Sequence, residues 1–429
     1  MEKKKWDLVA LASIPLIMTL GNSMLIPILP QIERALGISS FLVSMLITVY
    51  AIVAILLIPI AGYLSDRYGR KKIIIPSLII TVVGSGISAV AAWLMDGTGA
   101  YSVILAGRFL QGIGAAGAFP IVIPLVGDMF NEEEEVSKGL GIIETSNTFG
   151  KVISPILGAF LGSFVWFFPF MAIPVLCAIA LLLVIFLVKT PQQTNEGNKE
   201  SIRQFLKTTR GVLREKGRWL YAVFAIGGIA MFGVFGVQFY LSETLESTYG
   251  LKGIIKGLVL AIPLAALCLA SYLTGKFTGK NKAVMKWTGF AGMTLLTGSL
   301  AVIGFSEQIY FVIGLMTLGS IGIGLVLPSM DTLLTEGVEK KQRGTITSLY
   351  SSMRFIGVSL GPPAVSLLLA ASHGVLFGTL AAVAAVGGLL TFFSVKPEQK
   401  GEDEGGKGGL QRTEFKKPQG SKNKNLARK

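Results

Sequence analysis

Four ionisable side chains, Arg108, Glu144, Lys151 and Arg354, stand where the neighbouring sequence is almost wholly apolar. Glu144 and Lys151 are seven residues apart, so on a helix two turns place them on one face, about 10 Å from each other. Burial disfavours an ionised carboxyl group, and a nearby ammonium favours it. A carboxyl group held in that balance can take up and give back a proton as its exposure changes sides, which assigns Glu144 to proton coupling. The alternative is an ion pair that only helps helices to pack, with Lys151 neutralising Glu144. Arg108 opens the pattern Arg108-Phe-Leu-Gln111-Gly112-Ile-Gly114. An arginine at the centre of an apolar helix costs roughly 2.5–3.5 kcal/mol on insertion scales, so function is the first reading. It lies about two turns into its stretch, and snorkelling to the nearer interface is the second. Arg354 is the third cation of this kind, and against Glu144 alone the set is net positive. Asp128, Asp331 and Glu336 fall near the ends of their stretches, which leaves Glu144 as the carboxylate well inside one.

Two further patterns surround these groups. The first is the short basic loop Gly62-Tyr-Leu-Ser-Asp66-Arg67-Tyr-Gly69-Arg70-Lys71-Lys72, for which Asp128 is the natural partner of Arg70. The second is Gly141-x-x-Glu144-x-x-Asn147-x-x-Gly150-Lys151-x-x-Ser154-Pro155-x-x-Gly158-x-x-x-Gly162. Small residues at four-residue spacing let helices approach closely, and the proline softens the helix where a bundle needs to bend. A packing seam without further function fits the same residues.

The elements that must position these groups are membrane spans. Apolar residues make up 52% of the chain and charged residues 15%, against roughly 45–50% and about 25% in soluble domains. Runs of about 20 apolar residues recur along nearly the whole length, each long enough to cross the hydrocarbon core as a helix. Lipid offers the backbone no partners, and continuous apolarity excludes a barrel, so these runs are helices. Twelve spans are expected, near 8–30, 41–63, 73–95, 101–127, 139–162, 164–188, 219–242, 254–275, 284–305, 309–334, 345–371 and 374–395. The first is too long for a signal-peptide core and is expected to remain in the mature protein.

The net charge of +14 is distributed as topology rather than as a nucleic-acid surface. Lys3 to Lys5, Arg67 to Lys72, Lys189 to Arg218, Lys276 to Lys286, Lys340 to Arg343 and the lysine-rich tail all fall on one side, while Arg34, Lys252 and Lys256 are placed in loops on the other. The positive-inside rule then puts both termini in the cytoplasm, in a multi-pass cell-membrane protein. The segment 189–218 divides the chain into halves 1–188 and 219–395, and its residues 201–214 read as an amphipathic helix on the inner membrane face. A disordered tail, 396–429, follows. The halves echo each other weakly: Tyr63-Leu64-Ser65 with Tyr272-Leu273-Thr274, and Gly150-x-x-x-Ser154-Pro155 with Gly357-x-x-x-Gly361-Pro362. Such repeats are how many transporters build two bundles around a midplane site.

Together the motifs resemble those of the major facilitator superfamily, most closely its 12-span drug/proton antiporter branch, over about residues 8–395. The resemblance implies an all-α membrane protein, with twelve transmembrane helices in two pseudo-symmetric six-helix bundles. It implies a gating loop of Gly62, Asp66, Arg67, Gly69 and Arg70 with Asp128, and a proton-transfer role for Arg108 beside Glu144. Span five resembles the antiporter signature, whose usual Gly-Pro is here Ser154-Pro155, while span eleven carries Gly361-Pro362. Gly150, Ser154, Pro155, Gly158, Gly357, Gly361 and Pro362 are then the packing residues of the antiporter helices. Many exporters of cationic drugs in this family carry an acid in span one, where this chain has Asn22. A cavity of Asn22, Gln111, Asn147, Lys151 and Arg354 points instead to neutral or anionic amphiphiles, such as a small acidic natural product or a catechol siderophore.

The expected function is a proton-coupled exporter of small amphipathic molecules by alternating access, acting as a monomer in the lipid bilayer. A proton-coupled importer is the alternative, and a passive channel or a transporter-like sensor is a third reading. The chain has no Gly-x4-Gly-Lys-Ser/Thr loop to bind ATP phosphates, and no His-Glu-x-x-His pattern for catalysis. Cys177 and Cys268 fall in different halves and His373 is the sole histidine, so neither a metal nor a cofactor is expected. Asp66→Asn should abolish most transport while membrane expression holds, because one lost charge breaks a clamp and not a core. Normal transport by that variant would reduce the loop to a determinant of topology.

Overall fold

The computed structural model describes residues 4–130, 133–189, 202–277, 281–338, 343–369 and 371–395. The tail 396–429 and the linker residues 190–201 lie outside them. The first crossing is not one helix. Helix α1 (Lys5–Ser23) passes through a 3-10 turn (Ile26–Ile28) into α2 (Leu29–Leu36). Pro27 and Pro30 carry no N–H, so the helical ladder cannot run through this segment unbroken. The broken crossing extends over Lys5–Leu36, longer at both ends than the 8–30 expected from hydropathy.

Spans two to six follow as α3 (Ser40–Tyr68), α4 (Arg70–Leu94), α5 (Gly97–Met129), α6 (Glu133–Phe164) and α7 (Phe168–Leu187). Spans seven to twelve are α8 (Ile202–Ser247), α9 (Gly253–Phe277), α10 (Lys282–Ile303), α11 (Ile309–Gly337), α12 (Arg343–Leu369) and α13 (His373–Ser394). The backbone before span seven is helical from Ile202 and turns at Gly217, whose φ of 52° and ψ of −133° favour glycine. Among the described residues, ten segments are long and apolar enough to cross a membrane by length and composition. Neither α6 nor α10 is among the ten, although they run for 32 and 22 residues. Their composition explains this: α6 carries Glu144 and Lys151, and α10 begins on Lys282 and Lys286.

One end of the molecule gathers the start of α1, the starts and ends around Gly69, and the end of α7. Asp7 accepts from the Lys189 amide at 2.6 Å, and Lys71 Nζ donates to the Ile185 and Val188 carbonyls at 3.0 and 2.6 Å. We refer to this as the terminal end and to the opposite one, where α2 meets α3 and α8 meets α9, as the distal end.

Glycine sets the closest helix contacts. A Cβ at Gly150 would lie 3.0 Å from the Leu16 carbonyl oxygen, and one at Gly158 would collide with that of Met24, so α6 rests directly on the backbone of the first crossing. In the same way Gly357 and Gly361 bring α12 onto α8, against Gly228 and Gly236. The sequence echo between Gly150–Pro155 and Gly357–Pro362 is therefore an echo in packing. Several contacts join the halves, two of them in the helix seams. Gly257 of α9 sits against Pro155 and Ala159 of α6, and Thr48 Oγ1 of α3 donates to the Ser359 carbonyl of α12 at 2.8 Å.

Candidate functional site

Arg108 is fully buried within α5. Its Nε donates to the Leu46 carbonyl at 2.8 Å, Nη1 to the Gly21 carbonyl at 3.3 Å and to Gln111 Oε1 at 2.6 Å, and Nη2 to Asn22 Oδ1 at 2.6 Å. The guanidinium also lies over the Tyr50 ring, 4.6 Å from its centroid. The flat fork of donors thus stitches α1, α3 and α5 together. Snorkelling is ruled out, since the side chain ends in polar groups of neighbouring helices. Its partners are carbonyl and amide oxygens, without a carboxylate among the described residues. Arg108 and Glu144, expected to act together, touch no common group. Among the described residues they are linked through α1, where Asn22 serves Arg108 and Thr19, one turn earlier, donates to Asn147 Oδ1 at 2.6 Å.

Glu144 is exposed in the terminal half of α6 and accepts from Asn147 Nδ2 at 3.3 Å. One turn past Asn147, Lys151 is buried, at 8% exposure. Lys151 faces a narrow pocket of about 10 Å³, room for about one water, lined by Ser23, Ile26 and Pro155 from the first half and by Val234, Phe235, Gln238 and Leu264 from the second. Among the described residues it makes neither a hydrogen bond nor an ion pair, though the charges of Glu144, Asp331 and Arg354 all reach it. Arg354 of α12, the third cation of the set, has Asp331 of α11 3.6 Å away, which reduces the net positive charge expected there. Asp331, near the end of its span as expected, answers Arg354 across the same space. The central region reduces to one paired cation, one exposed carboxylate and one buried lysine without a fixed partner.

The gating-loop residues gather at the terminal end. Arg70 bonds Asp66 Oδ1 at 2.7 Å and Asp128 Oδ2 at 2.6 Å, and reaches Ser65 Oγ at 3.2 Å. Arg67 instead points to Tyr63 and the Tyr68 ring. Gly69 has a φ of 103°, the sharp reversal between α3 and α4 that a side chain would resist. Gly62 faces Ser348 of α12. Ser154 donates back to the Gly150 carbonyl at 2.5 Å, ahead of Pro155, and Pro362 lies within α12.

A family model of the Major Facilitator Superfamily matches residues 11–362, and a second match covers 286–426. The Bacillibactin exporter of Bacillus subtilis (strain 168) is 49% identical over 399 residues, which cover 93% of this chain and 98% of that protein. This chain belongs to the major facilitator superfamily. The class C Tetracycline resistance protein of Escherichia coli is 25% identical over 82% of this chain and 87% of its own length. The fold is shared with the human organic anion transporter MFSD10 (TETRAN), at a TM-score of 0.71 and 15% identity, over 90% of this chain and 99% of that one.

Sequence reasoning missed a second charged group in this facilitator. Lys256, placed above in a distal loop, is fully buried inside α9, and its Nζ donates to Glu246 of α8 at 2.7 Å. Arg34 of α2 joins the same carboxylate. The signal that could have found them is the pair of charges flanking the short turn at Gly250 and Gly253, both with positive φ.

The Arg108 cage carries a direct prediction. Arg108→Lys keeps the charge but loses the fork, and should lower stability by about 2–4 kcal/mol through donors and acceptors left unmatched. Thermal unfolding of the purified protein measures it, and an unchanged midpoint would contradict the stitching role.

Proposed function

We propose that this facilitator is a proton-coupled exporter of small amphipathic molecules bearing an anionic or electron-rich group. A siderophore is the favoured substrate. The observation that carries the reading is Lys151: a buried ammonium without a fixed partner, facing a cavity lined from both halves. At low dielectric an attraction to an anionic group is stronger than in water, although desolvation offsets part of it. The relative at 49% identity, named for bacillibactin export, supports both direction and substrate class. Halves 1–188 and 219–395, joined by 189–218, would rock about the α6–α9 and α3–α12 contacts, with the terminal end in the cytoplasm and a monomer in the plasma membrane as the working unit. The basic segments collected at the terminal end support that orientation. Protons are carried by Glu144, with Asp331 as the next candidate.

Glu144→Gln should remove accumulation driven by a pH gradient and spare energy-independent exchange, since glutamine keeps the shape and cannot cycle a proton. A variant that still concentrates substrate under the gradient would move the coupling proton elsewhere, with Asp331 tested next.

Lys151→Ala should weaken export of acidic amphiphiles more than that of neutral ones, and Lys151→Glu should shift preference towards cations. A matched acidic, neutral and cationic set decides the matter. Equal losses across the set would mean that Lys151 only balances Glu144.

A further inference from the structure

The distal end holds a set of charges shut away from solvent, and most of its bonds cross between the halves. The side chains of Glu246 and Lys256 are both 0% exposed. Besides its bond to Glu246, Lys256 Nζ donates to the Pro27 carbonyl at 2.6 Å. Ser242, one turn before Glu246 on α8, donates to the Ile26 carbonyl at 2.8 Å, and Arg34 bonds the second oxygen of Glu246. Ile26 and Pro27 belong to the break in the first crossing, where the interrupted ladder leaves carbonyl oxygens open to donors from elsewhere. The second half fills that break with a hydroxyl and an ammonium.

We propose that Arg34, Glu246 and Lys256, with Ser242, form the distal gate of the transporter, a latch that holds the distal side closed and must release before the cavity can open there. The inference rests on the alternating-access reading above. The division of bonds favours a latch over a static core ion pair. Glu246 and Lys256 sit on adjacent helices of one half, so their own bond survives when the halves part, and neither charge is stranded. The bonds that separation breaks are those from Arg34 to Glu246, from Lys256 to Pro27 and from Ser242 to Ile26. Water can replace each of them once the gap fills. The Arg70 cluster has no such division, because Asp66, Asp128 and Ser65 all belong to the first half with it. The exposure of Glu144 in the terminal half, together with the sealed distal charges, marks a distal-closed conformation.

The test reads conformation and needs no substrate. In a background lacking Cys177 and Cys268, the two cysteines of the chain, spin labels are attached at Ala35→Cys and Thr248→Cys. Both positions are exposed at the distal end, one in each half. A second pair, Lys72→Cys and Lys276→Cys, reports on the terminal end. Distance distributions are measured by pulsed electron resonance in nanodiscs. Two releasing variants are compared: Arg34→Ala, which alters a half-exposed side chain, and Glu246→Gln with Lys256→Met, which removes both buried charges together and leaves none unpaired. Each should raise the ratio of long to short distal distances at least about tenfold, the effect of losing one charge-assisted bond, and shorten the terminal pair. Lys256→Arg keeps the charge and the donors and should restore the original distribution. Unchanged distal distances in Arg34→Ala would overturn the latch, whatever the double variant does. A purely structural role would lower the amount of folded protein without moving the distances. Absence of siderophore transport, by contrast, would count against the export reading and not against the gate.

Discussion

A charge placed among apolar helices must find partners or be expelled, and this constraint organises the whole transporter. Arg108 meets it with four hydrogen bonds to three helices. Arg354 meets it with Asp331, and Lys256 with Glu246 and a backbone carbonyl. Each solution also locates helices, since the partners come from different crossings. Lys151 is the exception, buried and left without a bonded partner among the described residues. A site that binds and releases an anionic group needs such a cation, because one already neutralised would have to give up its partner first.

Glycine provides the second half of the design. Where α6 meets the first crossing and α12 meets α8, the helices touch backbone to backbone. Close approach of this kind gives rigid pairs, which suits two halves that move as units. The first crossing breaks at Ile26–Ile28, beside its seam with α6, and the backbone turns again at Gly217. The polar chain along α1, with Thr19 towards Asn147 and Asn22 towards Arg108, ties the exposed carboxylate to the buried arginine through one rigid helix.

Much of this was legible in the sequence. Continuous apolar runs located the helices, the glycine and proline echo predicted matching packing in the two halves, and the placement of Arg70 and Asp128 at the same end of adjacent spans anticipated their meeting. What escaped was long-range pairing. Asp331 does lie near the end of its span, which closes at Leu334, but its pairing with Arg354 of α12 left no mark in the sequence. Lys256 looked like a loop residue because Gly250 and Gly253 mark a turn just before it, although burial begins within one turn of α9. The break in the first crossing was hidden by uniformly apolar side chains around Pro27 and Pro30, where hydropathy records length and not continuity. Hydropathy also undervalues α6, whose polar residues are the ones that give it a role.

The central claim is coupled exchange of protons for an electron-rich substrate, and its most direct measurement is proton flux in reconstituted vesicles. Purified wild-type protein, with its terminal end facing outward and an acidic lumen, is given a catechol siderophore outside while a lumenal dye records pH. The account predicts that substrate accumulates in the lumen, that the lumen becomes less acidic in step with it, and that an uncoupler abolishes both. Accumulation without a matching proton flux, or none in the presence of a full gradient, would contradict it.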